Sequence, residues 1–276
     1  MMIKKGPIIS NLRREQILKS LSEGKRVDGR DLLAQRPLKI EPGIIEKAEG
    51  SASVKLGDTH VIAGVKIGIG SPFPDTPNEG ILIVNAEVLP TASEFQEPGP
   101  PDEDAIELAR VVDRGIRESR MIDLSKLVIE PGKHVYTVFV DISVLGMDGN
   151  LFDASSYAAV AALLTASFNV YRVDGGSLVK TEERMAMPIA DVAVSLTFAK
   201  IGNSIVFDPT WEEEGVMDAS LTMAFDSGGR LCAIQKGGSG GLKIDDVFRM
   251  VDLGREMYLD IKKKIEEAVG NAKPGS

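Results

Sequence analysis

Only one cysteine stands among the 276 residues. Cys232 has no partner for an intrachain disulfide and cannot build a thiolate zinc site alone. A reducing, cytoplasmic setting is the expectation. Its neighbours Leu231, Ala233 and Ile234 suggest a strand, so the thiol is expected to be buried and inert. Histidine is nearly as scarce. His60 and His134 lie far apart, which leaves no histidine-built metal site. No run of eighteen apolar residues occurs, so a membrane-spanning helix is excluded. The opening MMIKKGPIIS lacks the apolar run and cleavage pattern of a secretory signal. The stretch AKPGS at the other end reads as frayed. Neither a Walker A loop nor a G-x-G-x-x-G fingerprint is present, and no cofactor or resident metal is expected. Positive charge is in deficit, with 32 Lys and Arg against 41 Asp and Glu and a net charge of −9. Nucleic-acid binders usually show the opposite balance.

What is present is ordinary for a folded chain, with 43% hydrophobic and 26% charged residues. At roughly 150 residues per domain the length suggests about two domains, each able to form a core without staples. The expected first helix runs from Ser10 as N-cap to Glu23, with Ile17 and Leu21 on one face and Gly24 as its stop. Three hairpin-like units follow. Ser51–Leu56 turns at Gly57-Asp58 into Thr59–Ile67. His134–Leu145 turns at Asp148-Gly149 into a helix. Ala219–Asp226 turns at Ser227–Gly229 into Arg230–Lys236. Each shows strand alternation and turn residues that tolerate positive φ.

Helices are expected over Asp102–Ser119, Asp153–Phe168 and Ile244 to about Val269. In the first, Ile106, Ala109, Val112 and Ile116 would form the buried face. The second is alanine-rich and slim enough to lie against a sheet. In the third, Ile244, Val247, Val251, Tyr258, Ile261 and Ile265 form the apolar stripe. Proline-rich loops fill Ile69–Gly80 and Leu89–Pro101. A domain boundary is expected near Met187-Pro188. Antiparallel pairs with interspersed helices indicate an α+β fold.

Three patterns carry possible chemistry. Gly237-Gly-Ser239-Gly-Gly241 fits the serine nucleophile elbow G-x-S-x-G, but the hydrolases that use it place their histidine later in the chain. Both histidines come earlier here, and a Gly/Ser segment is also an ordinary flexible loop. Glu212, Glu213, Glu214, Asp208 and Asp218 could hold magnesium or could form a solvated acidic loop. Arg110, Arg114 and Arg117 lie along one side of a helix, away from the Ile106 face. They could form local ion pairs, Arg110 with Asp113, Arg117 with Asp113 and Arg114 with Glu118. Equally, guanidinium forks at this spacing could grip successive phosphates.

Longer stretches are more specific. Arg26-Val-Asp-Gly-Arg30, Arg36-Pro37 and Gly50-Ser-Ala-Ser-Val-Lys-Leu-Gly-Asp-Thr59 resemble the opening of the RNase PH family of phosphorolytic exoribonucleases. The run from Glu97 through Asp102-Glu-Asp104 to Arg114, and Lys126-Leu-Val-Ile-Glu-Pro-Gly-Lys133, are similar to its non-catalytic branch in the archaeal exosome. The resemblance extends from about Ser10 to the last helix. It implies a first domain like the second domain of ribosomal protein S5, then a smaller α/β domain with a long C-terminal helix. The corresponding division is a helical extension over 1–28 and domains over 29–188 and 189–276.

Active family members cleave RNA from its 3′ end with inorganic phosphate. The resemblance implies that they hold the phosphate with a Gly-Ser/Thr-Arg segment, which Asn150, Leu151 and Phe152 replace here. Phe152 brings no guanidinium and Leu151 no hydroxyl. An arginine that active members carry ahead of the Arg110 helix falls in the acidic stretch Asp102-Glu-Asp104. Their two aspartates, six residues apart, match Glu214 and Ser220. The expectation is a chain with no catalytic residues of its own that contacts RNA through Arg110 and Arg114, with Arg117 left as an ion-pair partner. The implied partners are a catalytic RNase PH-like subunit, three of each in a hexameric ring, S1/KH-type cap proteins and RNA. An active phosphorolytic enzyme with an atypical site remains the alternative, and a hydrolase using Ser239 a remote one.

Overall fold

The computed structural model describes residues 9–94 and 96–272. MMIKKGPI and the last four residues of the AKPGS stretch lie outside the described residues. The first described helix, α1 (Asn11–Ser22), starts where Ser10 Oγ accepts from the Arg13 N–H, and it ends at Gly24 with φ 79°. Ile17 and Leu21 pack on Ala199, Ile201, Val206 and Val216, so α1 leans on the second sheet.

Two main sheets follow. The first runs β1 (Leu38–Pro42), β2 (Gly50–Leu56), β3 (Thr59–Gly70), β6 (His134–Gly146), β4 (Ile81–Val88), with short β5 (Val128–Glu130) pairing β6. The second runs β10 (Ser204–Phe207), β9 (Val194–Ile201), β11 (Ala219–Phe225), β12 (Leu231–Gly237). The hairpins β2–β3 and β11–β12 form as expected. The middle unit is not a hairpin. β6 pairs antiparallel with β3 and parallel with β4, a strand the pattern did not reveal, before Asp148-Gly149 turns into the next helix.

That helix, α3 (Leu151–Thr165), is the central element. Every residue from Asp153 to Leu163 is buried, because α3 lies between the first sheet and β9. Its small side chains permit this approach. At Gly50 of β2, a Cβ would collide with the Ala162 carbonyl. The helix stops three residues before the expected Phe168. Thr165 Oγ1 turns back to the Ala161 and Ala162 carbonyls, and Ala166 is extended. Phe168 instead enters the hairpin β7 (Ser167–Asp174) and β8 (Ser177–Ala186), where its ring meets Tyr136 edge-on at 5.0 Å.

The helix α2 (Glu103–Glu118) has the expected extent but a rotated buried face. Ala105, Leu108, Val112, Gly115 and Ile116 face inward, while Ile106 is 51% exposed. The long helix α5 (Ile244–Ala272) buries Met250, Tyr258, Ile261, Ile265 and Val269, with Gly254 against the Phe225 ring. Its expected stripe fails at the start, where Ile244 is 64% exposed. Cys232 is likewise only half-buried, on the sheet-edge strand β12. Burial and then the nearby Asp226 carboxylate raise its pKa, which favours the thiol form.

Candidate functional site

The start of α3 is held by a buried polar network. Asp208, fully buried after β10, accepts from Arg36 Nη2 at 2.7 Å, Arg36 Nε at 3.0 Å and Asn150 Nδ2 at 2.8 Å. Burial opposes its charge, but the Arg36 hydrogen bonds and charge prevail and hold its pKa below the usual carboxylate range. Arg26, also buried, pairs with Glu213 through Nε at 2.8 Å and through Nη2. Glu213 in turn caps the short helix α4 (Trp211–Val216) in a capping box with Thr210. Glu212 binds Arg13 of α1. Asp218 Oδ2 accepts from the Gly202 N–H. The acidic cluster is therefore neither a solvated loop nor a convergent ligand set. Its carboxylates are spent on separate partners, and among the described residues no His/Cys/Asp/Glu group has metal-site geometry.

Of the three residues that the resemblance sets against the phosphate-binding segment, Asn150 stands in this network. Asn150 occupies the left-handed region, φ 52°, at the N-cap of α3. Glu214 Oε1 accepts the Asn150 backbone N–H at 2.7 Å. The chain's own carboxylate thus uses a donor at a helix start, where anions are ordinarily favoured. Leu151 and Phe152 are half-buried and pack against the core. Ser220 is buried in β11 opposite Gly237. None of Asn150, Leu151, Phe152 or Ser220 brings a positive charge.

Asp153, one turn into α3, was not singled out in the sequence. Its carboxylate is fully buried and accepts from Asn150 Nδ2, the Thr197 N–H and Thr197 Oγ1, at 2.9, 2.9 and 2.7 Å. Burial, with the Asp208 charge adding to it against these hydrogen bonds, pushes its pKa up to about 7. An unfolded aspartate titrates near 3.9. Between those values only the folded chain holds the proton, so stability is expected to fall as pH rises from 4 to 7 and then level off. Denaturant titrations at pH 5 and 6 should show stability falling with a slope of roughly 1 kcal/mol per pH unit from this group. Asp153→Asn should flatten it, and an unchanged slope would refute the assignment.

The arginines of α2 form a separate site. Asp102 opens the helix as N-cap, its Oδ1 accepting the Ala105 N–H at 3.0 Å. Arg110 and Arg114 are exposed and line a groove of about 350 Å³ with Glu103, Ile106, Glu107, Val111 and Gln235. Ile106 thus lies on their side of the helix, not opposite it. Among the described residues neither guanidinium has a hydrogen-bond or ion-pair partner. The ion pairs imagined for Arg110 with Asp113 and Arg114 with Glu118 do not form. Arg117 alone pairs as expected, with Asp113 at 2.7 Å, and also donates to the Leu82 carbonyl. Two adjacent unpaired guanidinium groups on an open groove suit a phosphodiester chain. The groove also holds Gln235, whose role no local sequence signal marked, because α2 and β12 meet only in the folded chain.

The Ser239 loop separates from this chemistry. It leads from β12 to α5, and the Gly240 N–H donates to the Asp218 carbonyl. Both histidines belong to strands of the other sheet, where His60 Nε2 is 2.9 Å from Ser53 Oγ. Ser239 has no histidine of its own sheet to serve as base.

The 3′ exoribonuclease family is matched by its domain 1 over residues 34–169 and by its domain 2 over 191–257. The exosome complex component Rrp42 of Thermococcus gammatolerans is 48% identical over 267 residues, 96% of this chain and 98% of that protein. The chain belongs to the RNase PH family of 3′ exoribonucleases. Its counterpart of the same name in Methanothermobacter thermautotrophicus is 48% identical over 269 residues, 97% of this chain and 99% of that one. A chain in the solved Archaeoglobus fulgidus exosome with RNA bound to the active site superposes with a TM-score of 0.84 at 45% identity, covering 92% of this chain and 98% of that one. A chain of an archaeal exosome core gives 0.82 at 43% identity, covering 93% and 97%. The RNase PH fold expected from the opening motifs is therefore the fold of this chain. Among its described residues no helix is long and apolar enough to cross a membrane.

Proposed function

We propose that this chain is a non-catalytic subunit of an archaeal exosome, a complex that degrades RNA phosphorolytically from 3′ to 5′. A catalytic RNase PH-like partner supplies the phosphate site and the acid, three of each subunit alternate in a ring, and S1/KH-type cap proteins sit on it. Arg110 and Arg114 contact the RNA backbone and help shape the partner's active site. The work is cytoplasmic. The same reading divides the chain into an extension over 1–28 and domains over 29–188 and 189–276.

The observation that carries this reading is the contrast between two places in one chain. The start of α3 has an aromatic ring where phosphate needs a guanidinium, and Glu214 already uses the Asn150 N–H. The groove on α2 has two exposed arginines and no acid paired to them. Losing a single oxyanion-stabilising donor can cost about 10²–10³ in rate. Here a guanidinium, a hydroxyl and one of two carboxylates are replaced. The relatives named above, nearly half identical over almost the whole chain, support membership in such a complex.

Purified alone, the chain should release no nucleoside diphosphates from RNA and inorganic phosphate. With the co-expressed partner, phosphate-dependent shortening should appear. Phosphate-dependent product from the lone chain, free of the partner by mass, would instead establish an active enzyme with an atypical site.

A further inference from the structure

Arg110 is surrounded by acids that do not pair with it. Glu107 stands three residues before it and Asp113 three residues after, both spacings that bring side chains together on a helix. Each is diverted. Glu107 Oε1 accepts from Gln235 Nε2 of β12 at 2.8 Å. Asp113 accepts from Arg117 Nε at 3.0 Å and Nη2 at 2.7 Å. The Glu107–Gln235 contact spans two separate elements, the helix and the edge strand that wall the groove. It is thus a tertiary constraint on a surface carboxylate that local helix geometry would direct to Arg110.

We infer that Gln235 is a positioning residue for RNA: by holding the Glu107 carboxylate on the β12 side of the groove, it keeps Arg110 unpaired and available to a phosphodiester. The inference deepens the RNA reading of this groove and rests on it. A glutamine suits the task because its amide can donate to the carboxylate without adding a charge. A lysine or arginine in its place would also attract phosphate and shift the strand toward β12. Freed from Gln235, Glu107 would meet Arg110 in an exposed pair and place a negative charge beside the RNA backbone. Such a pair is weak, so the effect is a graded loss of affinity.

The test is equilibrium binding of a fluorescent single-stranded RNA to the complex assembled with the catalytic partner, at low salt. Gln235→Met, close in volume, should weaken binding about 1.4- to 2.3-fold. Glu107→Gln added to it should restore the original affinity, because no carboxylate remains to compete. Arg110→Ala serves as the control for the groove itself. Weakening by Gln235→Met that Glu107→Gln fails to rescue would overturn the inference, since the glutamine would then act only through packing. Wild-type affinity in Gln235→Met, with Arg110→Ala weakened, would overturn it while leaving the RNA groove intact. Unchanged affinity in Arg110→Ala would remove the groove reading and this inference together.

Discussion

Reversing both groove arginines, Arg110→Glu with Arg114→Glu, should lower the RNA affinity of the assembled complex by about 10²-fold or more. A hydrogen bond to a charged group contributes about 1.5–3 kcal/mol, and 1.4 kcal/mol is a decade in affinity. Two lost contacts therefore predict about two to four decades, before any repulsion from the new carboxylates. Salt dependence gives a second readout. Each phosphate neutralised on a single strand contributes about 0.7 to the slope of log K against log salt, so the slope should shrink by about 1.4. Assembly with the partner and melting temperature should stay unchanged, because both side chains are exposed and make no hydrogen bond or ion pair among the described residues. Binding curves that superpose on the wild type at moderate salt would discard the arginine site. The prediction also reconciles RNA contact with a net charge of −9. Screening confines exposed charges to a range of about 10 Å at moderate ionic strength, so what counts for RNA is the groove itself, where Arg110 and Arg114 stand with Glu103 and Glu107, and not the charge of the whole chain.

Asp208→Ala should be the most destabilising single change in the region around α3. It removes the acceptor for Arg36, Arg30 and Asn150 at once and leaves Arg36, 6% exposed, with a buried charge less compensated. Breaking one side of a buried pair costs about 3–5 kcal/mol. For a domain of this size each kcal/mol moves the melting temperature by about 2–4 °C, so a drop on the order of 10 °C is expected. By comparison, Asp31→Ala, which breaks the exposed Lys25–Asp31 pair, should leave the melting temperature nearly unchanged. A change of less than about 2 °C in Asp208→Ala would show that Asp148 and the Gly149 carbonyl are sufficient for Arg36. The Asp208 contribution has the opposite pH sense to that of Asp153. A depressed carboxylate pKa stabilises above its unfolded value and is lost as pH falls through the folded one. Stability is thus opposed by Asp153 toward neutral pH and by Asp208 in acid.

Local patterns in the sequence determined much of this protein. Ser10 and Gly24 bounded α1, because caps act through neighbouring backbone groups. Strand alternation and turn glycines located β2–β3 and β11–β12, since those pairings close within a few residues. That Leu151, Phe152 and Ser220 carry neither a guanidinium nor a carboxylate was also legible, because that is a property of residue type. Tertiary structure decided the rest. The β4 strand has its partner, Thr137–Val144 of β6, 56 residues away, joined in parallel, so no turn announced it. The phase of α2 depended on what covered it. Ile106 and Leu108 are similar in hydrophobicity, but only Leu108 faces the core. The same rotation put Ile106 on the side of Arg110 and Arg114. The acids of 208–218 were visible as a cluster, but their pairing with Arg13, Arg26 and Arg36 required closure of loops longer than 170 residues. Sequence spacing offered Arg110 two acidic neighbours. Only contact with β12 and the competing fork of Arg117 left it unpaired, because a carboxylate bonds to whichever donor the fold holds within reach.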